Sequence, residues 1–89
     1  MNLNKNWHII IADSAKKNFR RLPKNDSKLV ENAIDQMESN PFGGDIIKLS
    51  GEENVWRRRV GNYRIIFEIL SEKNIIYIYQ IQRRASKTY

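Results

Sequence analysis

Three arginines, Arg57, Arg59 and Arg64, stand on either side of a Gly-Asn dipeptide in the run Trp56 to Arg64. Guanidinium groups are planar, permanently charged and able to grip phosphate oxygens two at a time. Whether these three act together depends on the backbone that carries them. Glycine then asparagine between apolar and aromatic runs signals a β-hairpin, because a type II′ turn takes glycine at its first central position. With Gly61 and Asn62 as the loop, Val60 pairs with Tyr63, Arg59 with Arg64 and Arg57 with Ile66. Side chains alternate along a strand, so the three arginines share one face. Like charges directly opposite one another destabilise a sheet. A fold that accepts this repulsion is expected to have an anion to put there. Arg58 points to the other face and is left out of the cluster, with snorkelling at a helix edge or contact with a partner as its expected use.

A second hairpin extends the set. Ser71 to Asn74 separates two apolar runs, and pairing Leu70 with Ile75 sets Glu68 opposite Tyr77, Ile66 opposite Tyr79 and Arg64 opposite Ile81. That register brings Arg83 diagonally beside Arg64 on the same face, at about 7–8 Å or less. Tyr77 and Tyr79 lie next to the arginines, and Glu68 shares their face. Glu68 reads as an internal counter-ion for one arginine ahead of a catalytic base. The opposite face carries Trp56, Ile65, Phe67, Ile69, Ile76 and Ile78 and should take the helices. A slip of one residue would scatter the cluster.

The elements that must position these residues follow from periodicity. Trp7 to Ala12 reads as a short strand. Asp13 is the expected N-cap of a helix over 14–22, whose Ala15, Phe19 and Leu22 fall at helical spacing. Asp26 or Ser27 is expected to cap a second helix ending near Ser39, with Leu29, Val30, Ala33, Ile34 and Met37 in one stripe. Asn40 to Gly44 makes a turn. Asp45 to Leu49, Val55 to Val60, Tyr63 to Leu70 and Ile75 to Arg83 then read as strands. The expected architecture is α+β: two antiparallel N-terminal helices on one face of a twisted, mainly antiparallel sheet of about four strands, in one domain spanning residues 1–89.

Composition narrows the chemistry. The 89 residues are 40% hydrophobic and 29% charged, ordinary for a globular chain. The absence of cysteine excludes disulfides and thiolate metal sites and suits the cytoplasm. No apolar run reaches membrane-spanning length, and the N-terminus lacks the pattern of a signal peptide. Residues 1–54 carry eight Lys/Arg and eight Asp/Glu, so the whole excess of +6 falls on residues 55–89. A basic sheet points to a polyanion, either nucleic acid or an acidic protein. His8 is the one histidine and reads as a structural or surface residue, so neither a metal nor a cofactor is expected. RNA would need neither, because its own 2′-hydroxyl is the nucleophile. A protein that aligned the backbone and stabilised the phosphorane charge would suffice. Arginine stays protonated and is a poor base.

The order strand, two helices, three antiparallel strands, with WRRRVGNYRIIFEI at Trp56 to Ile69 and QRRASKTY at Gln82 to Tyr89, resembles the RelE/ParE superfamily of bacterial toxins. The arginine at 83 with a tyrosine six positions later tilts the likeness to the RelE branch. That resemblance implies a metal-independent endoribonuclease that cuts messenger RNA in the A site of the ribosomal 30S subunit. Its catalytic residues would be Arg57, Arg59, Arg64, Arg83 and Tyr89, with Lys48, Tyr77, Tyr79, Arg84 and Lys87 as RNA contacts. It also implies a cognate antitoxin as protein partner. Members of the best-known branch carry lysine where Arg57 and Arg59 stand, and many continue into a further C-terminal helix, so the arginine face here is expected to be more open. The alternative is a ParE-like inhibitor of DNA gyrase acting through protein contact, without nuclease activity.

Overall fold

The computed structural model describes residues 7–51 and 53–83. Its elements are β1 (His8–Ile11), α1 (Asp13–Arg20), α2 (Lys24–Ser39), β2 (Asp45–Lys48), β3 (Val55–Val60), β4 (Tyr63–Leu70) and β5 (Ile75–Arg83), with a 3-10 turn over Ser71–Lys73. The strands form one five-stranded sheet in the order β1-β5-β4-β3-β2. All pairs are antiparallel except β1 with β5, which is parallel. The crossover from β1 to β5 needs intervening chain, and both helices lie within it. An α+β arrangement of two helices on a mostly antiparallel sheet is therefore what the chain adopts, with five strands rather than about four.

Helix starts differ from expectation by one residue in α1 and by three or four in α2. Asp13 is the first helical residue of α1, and Ala12 takes the N-cap position. Helix α2 begins directly after Pro23, whose fixed φ of −57° suits a helix entry. Asp26 and Ser27 thus fall within the first turn. The Ser27 hydroxyl donates to the Lys24 carbonyl at 2.9 Å. Asp26 remains favourable there, since a carboxylate near a helix N-terminus meets unpaired N–H groups.

The core lies between the helices and one face of the sheet. Ala15 of α1 and Val30, Ala33 and Met37 of α2 pack with Val60, Tyr63, Ile65, Phe67, Ile69, Ile76, Ile78 and Ile81. Strand β4 buries Tyr63, Ile65, Phe67 and Ile69 and leaves the residues between them partly open, the period of two expected for a strand with one covered face. The β3–β4 turn is as predicted: Gly61 takes φ +58° while Asn62 stays out of the left-handed region, and Val60 pairs with Tyr63.

Two polar groups penetrate this face. Tyr63 donates its hydroxyl to Asp26 Oδ2 at 2.6 Å, tying the central hairpin to the start of α2. That hydrogen bond holds the phenol above its ordinary pKa; burial and the Asp26 charge add to the effect, and Arg83 opposes it. Arg58 is 7% exposed. Its Nη2 donates to Gln36 Oε1 of α2 at 2.6 Å, while Nη1 is buried without a partner. Burial lowers the Arg58 pKa from its ordinary value. Gly44, at φ +84°, lies so close that a Cβ there would come within 2.8 Å of the Arg58 Cζ. A buried cation short of one partner is costly, and an apolar chain of similar length can be the more stable choice.

Two outcomes are expected. From neutral pH up to about pH 10 the Tyr63–Asp26 bond contributes in full, because the phenol is protonated both folded and unfolded. Above that pH the unfolded chain gives up the proton first, so stability falls until the folded phenol ionises too. Denaturant titrations across this range should show part of that decline vanish in Tyr63→Phe. Arg58→Met should raise the unfolding free energy by about 1 kcal/mol or more in the same measurement, because it removes the guanidinium while keeping the stem.

Candidate functional site

The face of the sheet away from the helices is organised in rows, since residues opposite one another on paired strands share a face. One row runs Asp45, Arg59, Arg64, Gln82 across β2, β3, β4 and β5. The next runs Ile47, Arg57, Ile66, Gln80. A third runs Val55, Glu68, Tyr77, Ile10, ending on β1. Successive rows are about 6.8 Å apart, two residues of strand rise. The face therefore grades from cationic at one end to aromatic and apolar at the other.

Arg57, Arg59 and Arg64 come together as their spacing requires. Arg59 and Arg64 are direct cross-strand partners. Arg59 Nε approaches Asp45 Oδ2 at 3.7 Å, and both side chains are well exposed (46% and 62%), so solvent screens the pair and its worth is small. Arg57 and Arg64 carry no ion pair among the described residues. Two guanidinium groups are thus left for an external anion.

Arg83 does not join them. Strand β5 carries a bulge between its pairings with Ile66 and Phe67: Phe67 faces Ile78, Ile66 faces Gln80, and Tyr79 is the extra residue. Beyond it every side chain changes face. Arg64 lies opposite Gln82 rather than Ile81, and Arg83 lies opposite Tyr63 on the helix side. There it lines a shallow hollow with Asn18, Arg21, Leu22, Pro23, Tyr63 and Ile81. The expected diagonal pairing of Arg83 with Arg64 is therefore incorrect.

The cause is α1. Beyond Ile78 no strand among the described residues lies beside the outer edge of β5, and side chains of α1 take over its backbone groups. The Ser14 hydroxyl donates to the Tyr79 carbonyl at 2.7 Å, and Asn18 Oδ1 accepts the Ile81 N–H at 3.0 Å. A signal was present in the sequence. The buried isoleucines fall at 76, 78 and 81, a step of three where strict alternation would bury Gln80.

Tyr77 stands where expected, opposite Glu68 on the open face, whereas Tyr79 is the bulge residue and not the partner of Ile66; the two rings are in edge-to-face contact with centroids 4.8 Å apart. Among the described residues Glu68 pairs with no arginine; its Oε1 accepts a hydrogen bond from the Tyr79 hydroxyl. Lys48 lies opposite Trp56 and so falls on the helix side of the edge strand β2. His8, opposite Ile75, is exposed on the open face, two strands from Glu68. Arg84, Lys87 and Tyr89 lie outside the described residues. Among the described residues no group of three His, Asp or Glu is placed to hold a metal ion, and no helix is long and apolar enough to cross a membrane.

Strand order, the helix pair under one face and the basic hairpin together define a toxin fold. The model of the ParE toxin of type II toxin–antitoxin systems matches residues 9–87, and the chain belongs to this RelE/ParE superfamily. It is 32% identical over 81 residues to the candidate toxin RelE1 of Methanocaldococcus jannaschii, covering 88% of this chain and 90% of that one. The archaeal RelE of the RelE–RelB complex from Pyrococcus horikoshii superposes with a TM-score of 0.82 at 25% identity, over 93% of this chain and 100% of that one. The isolated RelE toxin of E. coli shares the fold at a TM-score of 0.78 and 15% identity, over 91% and 87% of the two chains. The protein is a toxin of a type II toxin–antitoxin system, of a family in which both RelE and ParE names occur.

Proposed function

We propose that the open face binds messenger RNA in the ribosomal A site and cleaves it by attack of the RNA's own 2′-hydroxyl. The observation that carries this reading is the row geometry: Arg57, Arg59 and Arg64 gathered on one open face, next to the Tyr77–Tyr79 pair. Guanidinium groups bind phosphate oxygens, and tyrosine rings stack on unpaired bases, which is how single-stranded RNA is usually held. A nucleotide spans both. Its phosphate meets Arg57, Arg59 and Arg64, and its base reaches Tyr77 and Tyr79.

In this mechanism the arginines orient the phosphate in line with the 2′-oxygen and stabilise the extra negative charge of the pentacoordinate state. The 2′-oxygen bonds to phosphorus, the bond to the 5′-oxygen breaks, and the products are a 2′,3′-cyclic phosphate and a 5′-hydroxyl. The chemistry calls for no metal. A cognate antitoxin is the protein partner in this reading, supported by the P. horikoshii relative's being a RelE in complex with RelB.

A second reading is favoured by one observation, the ParE description of the matching family model. It makes the target DNA gyrase and leaves the basic face without catalytic use.

Mapping 5′ ends on translated messages during controlled expression separates the two. Codon-phased cuts should appear, and Arg64→Ala should reduce them about 100-fold or more, the usual scale for losing a group that stabilises transition-state charge. Growth arrest without cuts, together with inhibition of supercoiling by purified gyrase, would decide for the second reading.

A further inference from the structure

Cleavage by a 2′-hydroxyl requires something to take its proton, and the three arginines of the open face are too firmly protonated to do so. Two carboxylates reach that face among the described residues, Asp45 on β2 and Glu68 on β4. Asp45 is mostly exposed on an edge strand and already engaged with Arg59. Glu68 is half-buried on the central strand, with the Tyr79 hydroxyl donating to its Oε1. Its neighbours across the sheet are Val55 and Tyr77, and Ile66 and Leu70 flank it along β4. The charged and titratable groups facing it are Tyr77 and Tyr79 from β5, Arg57 diagonally on β3 and Arg64 two rows away on β4.

We infer that Glu68 is the general base of this chain, with Tyr79 as the residue that positions it; the inference rests on the cleavage reading above. Geometry carries it. A phosphate on Arg57 of β3 and a base on Tyr77 of β5 lie one row and two strands apart, roughly 12 Å between backbone positions, with Glu68 of β4 between them. The ribose between them lies over Glu68, the cross-strand neighbour of Tyr77. The Glu68 carboxylate takes the 2′-hydroxyl proton as the oxygen's electron pair bonds to phosphorus. The pair of the breaking P–O5′ bond leaves with the 5′-oxygen, which gains a proton from water. Glu68 then returns its proton to solvent. The Tyr79 hydroxyl fixes one carboxylate oxygen and leaves the other to face the ribose, an orienting hydrogen bond of the kind general bases commonly have.

The test is single-turnover cleavage of messenger RNA in the A site of purified ribosomes, followed against pH for the wild-type toxin and its variants. Glu68→Gln should slow cleavage by 100-fold or more, the low end of what a general base contributes, and should erase the acid limb of the pH profile. Its affinity for a message carrying a 2′-deoxy residue at the cleavage position should stay within about threefold of wild type, because the arginines are untouched. Glu68→Asp should keep the acid limb at a reduced rate, and it serves if the glutamine variant does not fold. Tyr79→Phe, which keeps the ring and loses the donor, should slow cleavage about tenfold with the affinity for the deoxy message unchanged. Full activity of Glu68→Gln with a wild-type acid limb would overturn the inference while leaving the cleavage reading intact. So would loss of that limb in Asp45→Asn alone. No cleavage by the wild-type protein on ribosomes would overturn the reading itself, and the assignment of Glu68 with it.

Discussion

A pleated strand can bury only every second side chain, and the choice made by β4 decides the rest of this molecule. Tyr63, Ile65, Phe67 and Ile69 go under the helices, so Arg64, Ile66 and Glu68 must face the other way. Register is strongly specified under that condition, because a slip of one residue would move four core side chains into water. At roughly 1.5–3 kcal/mol for each large apolar side chain buried, that slip costs far more than the repulsion between two arginines opposite each other. Core packing therefore holds Arg59 against Arg64. The unfavourable charge pair is a consequence of the apolar face, and it is what leaves cationic groups available to an anion.

Among the described residues the bulge in β5 is where this logic is broken, and it is broken by a helix. Ser14 and Asn18 lie four residues apart on α1 and reach the backbone of β5 where β1 no longer covers it. Buried or half-covered backbone groups need partners, and these two side chains supply them. The extra residue changes the face of everything beyond it, so Gln80 and Gln82 join the open face, linked by a 2.7 Å hydrogen bond, and Arg83 turns toward Tyr63. Tyr79, at the bulge, is also the residue whose hydroxyl reaches Glu68. One irregularity thus sets both the membership of the basic cluster and the setting of its carboxylate.

Arg58 shows the same alternation acting at a cost. It stands between Arg57 and Arg59 and shares their composition, but its parity sends it inward among apolar residues, where one of its nitrogens finds no partner. Gly44 makes room for it by lacking a Cβ. Three consecutive arginines therefore have two different environments. Their chemistry is set by parity in the strand rather than by residue type.

The sequence by itself determined the class of fold, the two hairpins and the shared face of Arg57, Arg59 and Arg64. These depend on local signals: a Gly-Asn turn, a period of two in the strands and a period near 3.6 in the helices. It also placed Tyr77 opposite Glu68, through the pairing of Leu70 with Ile75, but not Tyr79, which the bulge takes out of its expected pairing with Ile66. Tertiary structure decided what depends on groups distant in the chain. Ser14 and Asn18 meet Tyr79 and Ile81 across more than sixty residues, and that contact moves Arg83 off the arginine face. Glu68 finds Tyr79 instead of an arginine, and Arg58 finds Gln36, because packing rather than charge chose their neighbours. Periodicity counts residues along one strand; it has no term for a helix that supplies the missing edge.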